Sequence, residues 1–111
     1  QARKYEEAGS AFTQFLAGFP TSPLADNAQY WLAETYYVRG QFQPALGEFQ
    51  KVLDQYPQSA KLPDALLKSG YCQAELGERD AARTSLQQVV RKFADTTAAR
   101  LAAQRLERLQ Q

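Results

Sequence analysis

The run Ser22–Pro57, SPLADNAQYWLAETYYVRGQFQPALGEFQKVLDQYP, decides the fold. Arg39-Gly40-Gln41 divides it into two amphipathic stretches. In the first, Leu24, Ala28, Leu32 and Tyr36 recur every four residues, which lays one apolar stripe along a helix. Gly40 can adopt the left-handed backbone with which helices commonly end. In the second, the stripe runs Ala45, Phe49, Val52, Leu53, Tyr56 and stops at Pro57. Pro44 falls in the first turn of that helix, where a missing N–H costs little. Small Ala33 and Ala45 predict a close approach of the two helices. The expected unit is a helical hairpin.

The hairpin recurs. A shift of 37 residues aligns Phe19-Pro20 with Tyr56-Pro57 and Phe93-Ala94, and Gly40 with Gly77. It also aligns Ala8, Ala45 and Ala82; Phe12, Phe49 and Leu86; Phe15, Val52 and Val89; and the hydroxyls of Ser22, Ser59 and Thr96. A period of this size marks a solenoid, in which each hairpin buries its open face on the next. The expected fold is an all-α, tetratricopeptide-like α-solenoid with a C-terminal capping helix.

The expected divisions are residues 1–20, the second helix of a truncated repeat; 21–57 and 58–94, complete repeats; and 95–111, the capping helix. Ser22 is the expected N-cap of the first full hairpin, with Pro23 at the first helical position. Pro63 opens the next hairpin, and Thr96 or Thr97 caps a last helix with Leu101, Ala102, Leu106 and Leu109 inward. Gly9 and Gly18 should weaken the first helix, and Ala98 should lie on the outer side of the last. The register opens inside a repeat, which reads as a domain cut from a longer protein.

With 111 residues and a net charge of +1, the chain is one modest domain with no global field to attract nucleic acid or an anionic membrane. Its apolar runs are far short of the roughly 18 residues that suggest a membrane span. Histidine is absent, which removes the commonest general base and metal ligand. Neither a glycine-rich phosphate loop nor a metal-ligand spacing occurs, and Glu6-Glu7 point in different directions on a helix. No catalytic site, cofactor or metal is expected. Cys72, the single cysteine, reads as a small buried apolar residue.

Leu32-Ala33, Tyr36, Gly40, Ala45, Phe49, Val52 and Pro57 follow the order and spacing of the tetratricopeptide repeat, which this hairpin resembles. The period exceeds the usual one of about 34 by the longer inter-repeat loop. Trp31 directly precedes Leu32, whereas the motif places its tryptophan three residues before that leucine. Gln73 and Ala94 stand where the central repeat has Tyr36 and Pro57. The whole fragment, through its Tyr30-Trp31-Leu32 trio, its paired Tyr-Pro and Phe-Pro loops and its alanine-rich last helix, is similar to the C-terminal domain of the YbgF (CpoB) family of cell division coordinators in the Tol–Pal envelope system. Envelope lipoproteins of outer-membrane protein assembly share similar long repeats. The resemblance implies a periplasmic scaffold that binds TolA and helps coordinate outer-membrane constriction with peptidoglycan synthesis through a peptidoglycan synthase complex.

In such a solenoid the first helices of successive hairpins line the concave face. The expected partner-binding groove is Asn27, Tyr30, Trp31, Glu34, Tyr37, Val38, Lys68, Tyr71, Arg105 and Arg108, with Asp64, Leu67, Glu75 and Gln104 beside them. Tyrosines next to single charges suit a binding surface, since each offers area with one polar end. Tyr30 and Trp31 could equally fill the seam between repeats, and the charges could be ordinary solvated surface. The alternatives are an adaptor of another envelope assembly, a cytosolic chaperone-docking module and self-association through the groove. A chaperone clamp would need Lys and Asn where Tyr30 and Glu34 stand. Only the last helix approaches the basic stripe that RNA would need.

Overall fold

The computed structural model describes residues 2–109, and within them six α-helices and no strand. They are α1 (Ala2–Gly18), α2 (Ala25–Val38), α3 (Phe42–Gln55), α4 (Leu62–Glu75), α5 (Arg79–Lys92) and α6 (Thr97–Leu109). Each helix packs on its neighbour in sequence, and α4 also touches α6 directly, whereas no comparable contact joins α3 and α5. The stack therefore curves toward its first helices, α2, α4 and α6. Its extents are 43 × 29 × 19 Å.

The hairpin turns follow from two glycines. Gly40 has φ +74° and Gly77 has φ +81°, a backbone that side chains disfavour. There the N–H of Gln41 donates to the Tyr36 carbonyl and that of Glu78 to the Gln73 carbonyl. These bonds satisfy acceptors that each helix end would otherwise leave bare. The close approach expected at the alanines is present: Ala33, Ala45 and Ala82 are all 0% exposed. Gly9 plays the same part in α1. An added Cβ would lie 3.1 Å from Thr35 Oγ1, so its lost helix propensity is offset by the packing of α1 on α2.

Two buried clusters form the core. One joins Tyr30, Ala33, Phe49, Val52, Ala65 and Cys72; the other joins Leu66, Leu67, Leu86, Val89, Ala98 and Ala102. Leu53 packs against both, which makes the core continuous along the stack. Among the described residues every buried side-chain N or O atom has a hydrogen-bond partner.

Three local expectations need correction. First, α2 begins at Ala25, not at Pro23: Ser22 to Leu24 form a turn, with the Ala25 N–H on the Ser22 carbonyl at 2.9 Å. Ser22 Oγ accepts only from the Leu24 N–H, at 3.1 Å, and Leu24 is left 61% exposed rather than inward. Thr96 does cap α6, accepting from the Ala99 N–H at 3.1 Å. Second, Ala98 is 2% exposed and part of the second cluster, because α6 lays its opening turn on the preceding hairpin. Third, Tyr30, buried at 6% with its ring edge-on to Phe49 at 5.5 Å, and its register equivalent Leu67, buried at 2%, are core residues rather than groove ones.

Candidate functional site

The concave face is built by side chains that alternate with the core stripes of α2, α4 and α6. One stripe of each helix is spent on packing against the preceding hairpin, as with Ala28 and Leu32 of α2 or Ala65 and Cys72 of α4. The residues a turn away project toward the neighbouring first helix.

Along this face each aromatic ring is met by a cation from the next first helix or the loop before it. Lys61 Nζ stands 5.1 Å from the Tyr30 ring centroid and 5.3 Å from that of Trp31. Lys68 Nζ lies 4.9 Å from the Tyr37 ring and donates to Glu34 Oε1 at 2.5 Å. The Arg105 guanidinium lies over Tyr71 at 4.1 Å. These contacts tie successive first helices together by ion pairing and by attraction of cations to the negative ring face. Lys68 and Arg105 occupy equivalent positions in successive repeats, as do Glu34 and Tyr71. The same seam is thus closed once by a carboxylate and once by a phenol ring.

The structure brings Glu34, Tyr37, Lys68, Tyr71 and Arg105 into one continuous strip. Tyr37 is only partly on the surface, since its ring also packs on Phe42 at 5.5 Å and Phe49 at 6.3 Å. Burial pushes the hydroxyls of Tyr30, Tyr37 and Tyr71 above the ordinary tyrosine range; for Tyr71 the nearby Arg105 and Arg108 oppose it. Arg108 is exposed near Tyr71, whereas Asn27, also exposed, lines a pocket with Phe12, Phe15 and Trp31 on the α1 side. Trp31, 44% exposed, and Val38, 49% exposed, sit away from the strip, toward α1. There they line open pockets of about 330 and 360 Å³ with Phe12, Phe15 and Tyr5. Sequence reasoning missed Lys61 because it precedes α4 in a loop, outside the helical register used to choose groove positions.

Cys72 is 0% exposed, and burial pushes its thiol up to about 12, which keeps it protonated and inert. Among the described residues no cluster of His, Cys, Asp or Glu could hold a metal ion. No helix there is long and apolar enough to cross a membrane.

Residues 1–60 match a tetratricopeptide repeat family model, and residues 64–96 match a second model of the same repeat. Among curated proteins, the cell division coordinator CpoB of Pseudomonas putida strain KT2440 is 42% identical over 41 residues, 37% of this chain and 15% of that protein. A further Pseudomonas putida CpoB sequence gives the same figures. The similar segment is thus a small part of the relatives' length. By the repeat models, by its paired helices and by the glycine turns between them, this chain belongs to the tetratricopeptide repeat family.

Proposed function

We propose that this domain is a non-catalytic docking scaffold of the bacterial cell envelope whose concave face receives a segment of TolA. In that role it helps coordinate outer-membrane constriction with peptidoglycan synthesis. The supporting observation is the strip of Tyr37, Lys68, Tyr71 and Arg105, where aromatic area and fixed cations share the inner surface of the curve. Each cation is seated on a ring from a neighbouring helix, so the strip is already ordered before a partner arrives. A preordered surface loses less side-chain freedom on binding. The identity of the partner and the periplasmic location rest on the similarity to CpoB.

Calorimetric titration of the domain with purified TolA tests the reading. Tyr71→Ala with Arg105→Ala should weaken binding by about 2 kcal/mol, the mark of a hot spot. Tyr37 is left intact in this variant because its ring also supports Phe42 and Phe49. Gln50→Ala with Gln87→Ala, both exposed on the second helices, should leave binding unchanged. Undiminished binding by the groove variant, or an equal loss in the convex control, would overturn the proposal.

A further inference from the structure

The three first helices that line the concave face differ in charge. α2 carries Asp26 and Glu34 and no cation; α4 carries Asp64, Lys68 and Glu75; α6 carries Arg100, Arg105 and Arg108 against Glu107 alone. Two repeats on from the acids of α2, the register places Arg100 for Asp26 and Arg108 for Glu34. The net charge of +1 conceals this gradient, because its two ends offset each other.

The two seams between first helices treat their cations differently. At the seam of α2 with α4, Lys68 pairs with the Glu34 carboxylate, which cancels its charge where it stands. At the seam of α4 with α6, Tyr71 holds the position of Glu34, so Arg105 meets a ring in place of a carboxylate. A ring face attracts a cation but leaves its charge standing. Arg108, one turn along on the same side of α6, adds a second cation. Among the described residues neither arginine has a carboxylate within ion-pair distance. The tyrosine hydroxyls report the same gradient: that of Tyr30 feels Glu34 and Asp64, whereas that of Tyr71 feels Arg105 and Arg108. Burial keeps the Tyr71 hydroxyl protonated, so it stands beside the two arginines as a further donor. The end of α6 that carries Arg108 is tied to α5, where the Arg79 guanidinium donates to the Leu109 carbonyl.

We propose that the polypeptide segment received by the concave face is acidic where it crosses α4 and α6, its aspartate or glutamate side chains seated on Arg105 and Arg108 beside Tyr71. The assignment rests on the docking role proposed above, but not on which protein supplies the segment. A guanidinium presents its donors as a planar fork that matches a carboxylate two bonds at a time. Glu34 and Asp64 repel the same acidic stretch from the α2 end, so the gradient also sets the direction in which the segment lies. Side chains are favoured over a chain terminus by the rest of the face. A clamp for a terminal carboxylate needs Lys and Asn at the positions of Tyr30 and Glu34, and Glu34 repels such a group.

The test uses two synthetic peptides of one length, blocked at both ends, one rich in glutamate and the other with every glutamate replaced by glutamine. In NMR titrations of the isotope-labelled domain, the glutamate peptide should bind several-fold more tightly and shift the Nε–H signals of Arg105 and Arg108. Arg108→Gln should weaken that binding several-fold and Arg108→Glu further, whereas Arg91→Glu, exposed on α5, should leave it unchanged. Added salt should erase the difference between the peptides. Four results would each overturn the proposal: equal binding of the two peptides, undiminished binding by Arg108→Glu, an equal loss in Arg91→Glu, or binding that appears only when the peptide's C-terminus is left unblocked. Calorimetry with TolA separates this assignment from the named partner. If the unaltered domain fails to bind TolA, that partner is struck and the peptides still decide the assignment; TolA binding that Arg108→Glu leaves untouched would overturn it.

Discussion

Gly70→Ala and Gly47→Ala should move stability in opposite directions, although both lie inside helices of equal length. Exchanging glycine for alanine in a helix interior stabilises by about 0.5–1 kcal/mol, because alanine has less backbone freedom to lose. At Gly47 an added Cβ meets nothing within 4 Å, so that gain of about 0.5–1 kcal/mol should appear undiminished. At Gly70 the same methyl would stand 2.8 Å from Leu86 Cδ2 and 2.9 Å from Leu86 Cγ. Leu86 is 0% exposed and wedged among Leu66, Leu67, Val89 and Ala98, so it has no free space into which to move. Overpacking of this kind costs about 1–3 kcal/mol, against a helix gain of about 0.5–1 kcal/mol, and leaves a net loss of up to about 2.5 kcal/mol. In a domain near this size each kcal/mol shifts the melting temperature by about 4–8 °C. Urea and thermal denaturation of both variants would read the two signs. If Gly70→Ala stabilised as much as Gly47→Ala, α4 and α5 could not be as close as described.

Deleting residues 98–111 should strip cover from Leu66, Leu67 and Leu86, and the truncated chain should melt markedly lower or aggregate; an unchanged melt would refute a capping role for α6. Ala45→Leu should cost about 1–3 kcal/mol by urea denaturation, because Ala45 is fully enclosed where α2 and α3 meet, whereas Ala103→Leu on the exposed side of α6 should cost little. Cys72 should resist a maleimide at pH 8 in the folded protein and label fully in denaturant. Because its folded pKa is raised, its contribution to stability is complete below the unfolded value of about 8.5 and is lost as pH rises toward 12. Urea midpoints should therefore fall between pH 8.5 and 11, and fall less in Cys72→Ala.

The hairpins could be read from the sequence because their determinants are local. Gly40 and Gly77 mark turns that only glycine makes easily, and Ala33 and Ala45 mark a contact that larger side chains would forbid. The start of α2 could not be read in the same way. A Ser-Pro pair suits either a cap or a turn, and the choice fell to the Ser22–Ala25 backbone bond. Tyr30 and Tyr37 illustrate the same limit at the candidate site. Both lie on the groove side by helical register, yet Tyr30 turns onto Phe49 while Tyr37 divides its ring between Phe49 and Lys68. Which neighbour claims a ring depends on how the helices pack on one another, which the pattern along a single helix does not set. Ala98 was misplaced for a related reason. The direction from which α6 meets α5 fixes which alanines of its first turn face inward.

Backbone hydrogen exchange of the domain, with and without saturating TolA, would map the surface on which the proposed scaffold works. The account predicts slowed exchange along α2, α4 and α6 around Tyr37, Lys68, Tyr71 and Arg105, with α3 and α5 unchanged on their outer sides. Protection confined to α3 and α5, or no protection anywhere at saturation, would contradict it.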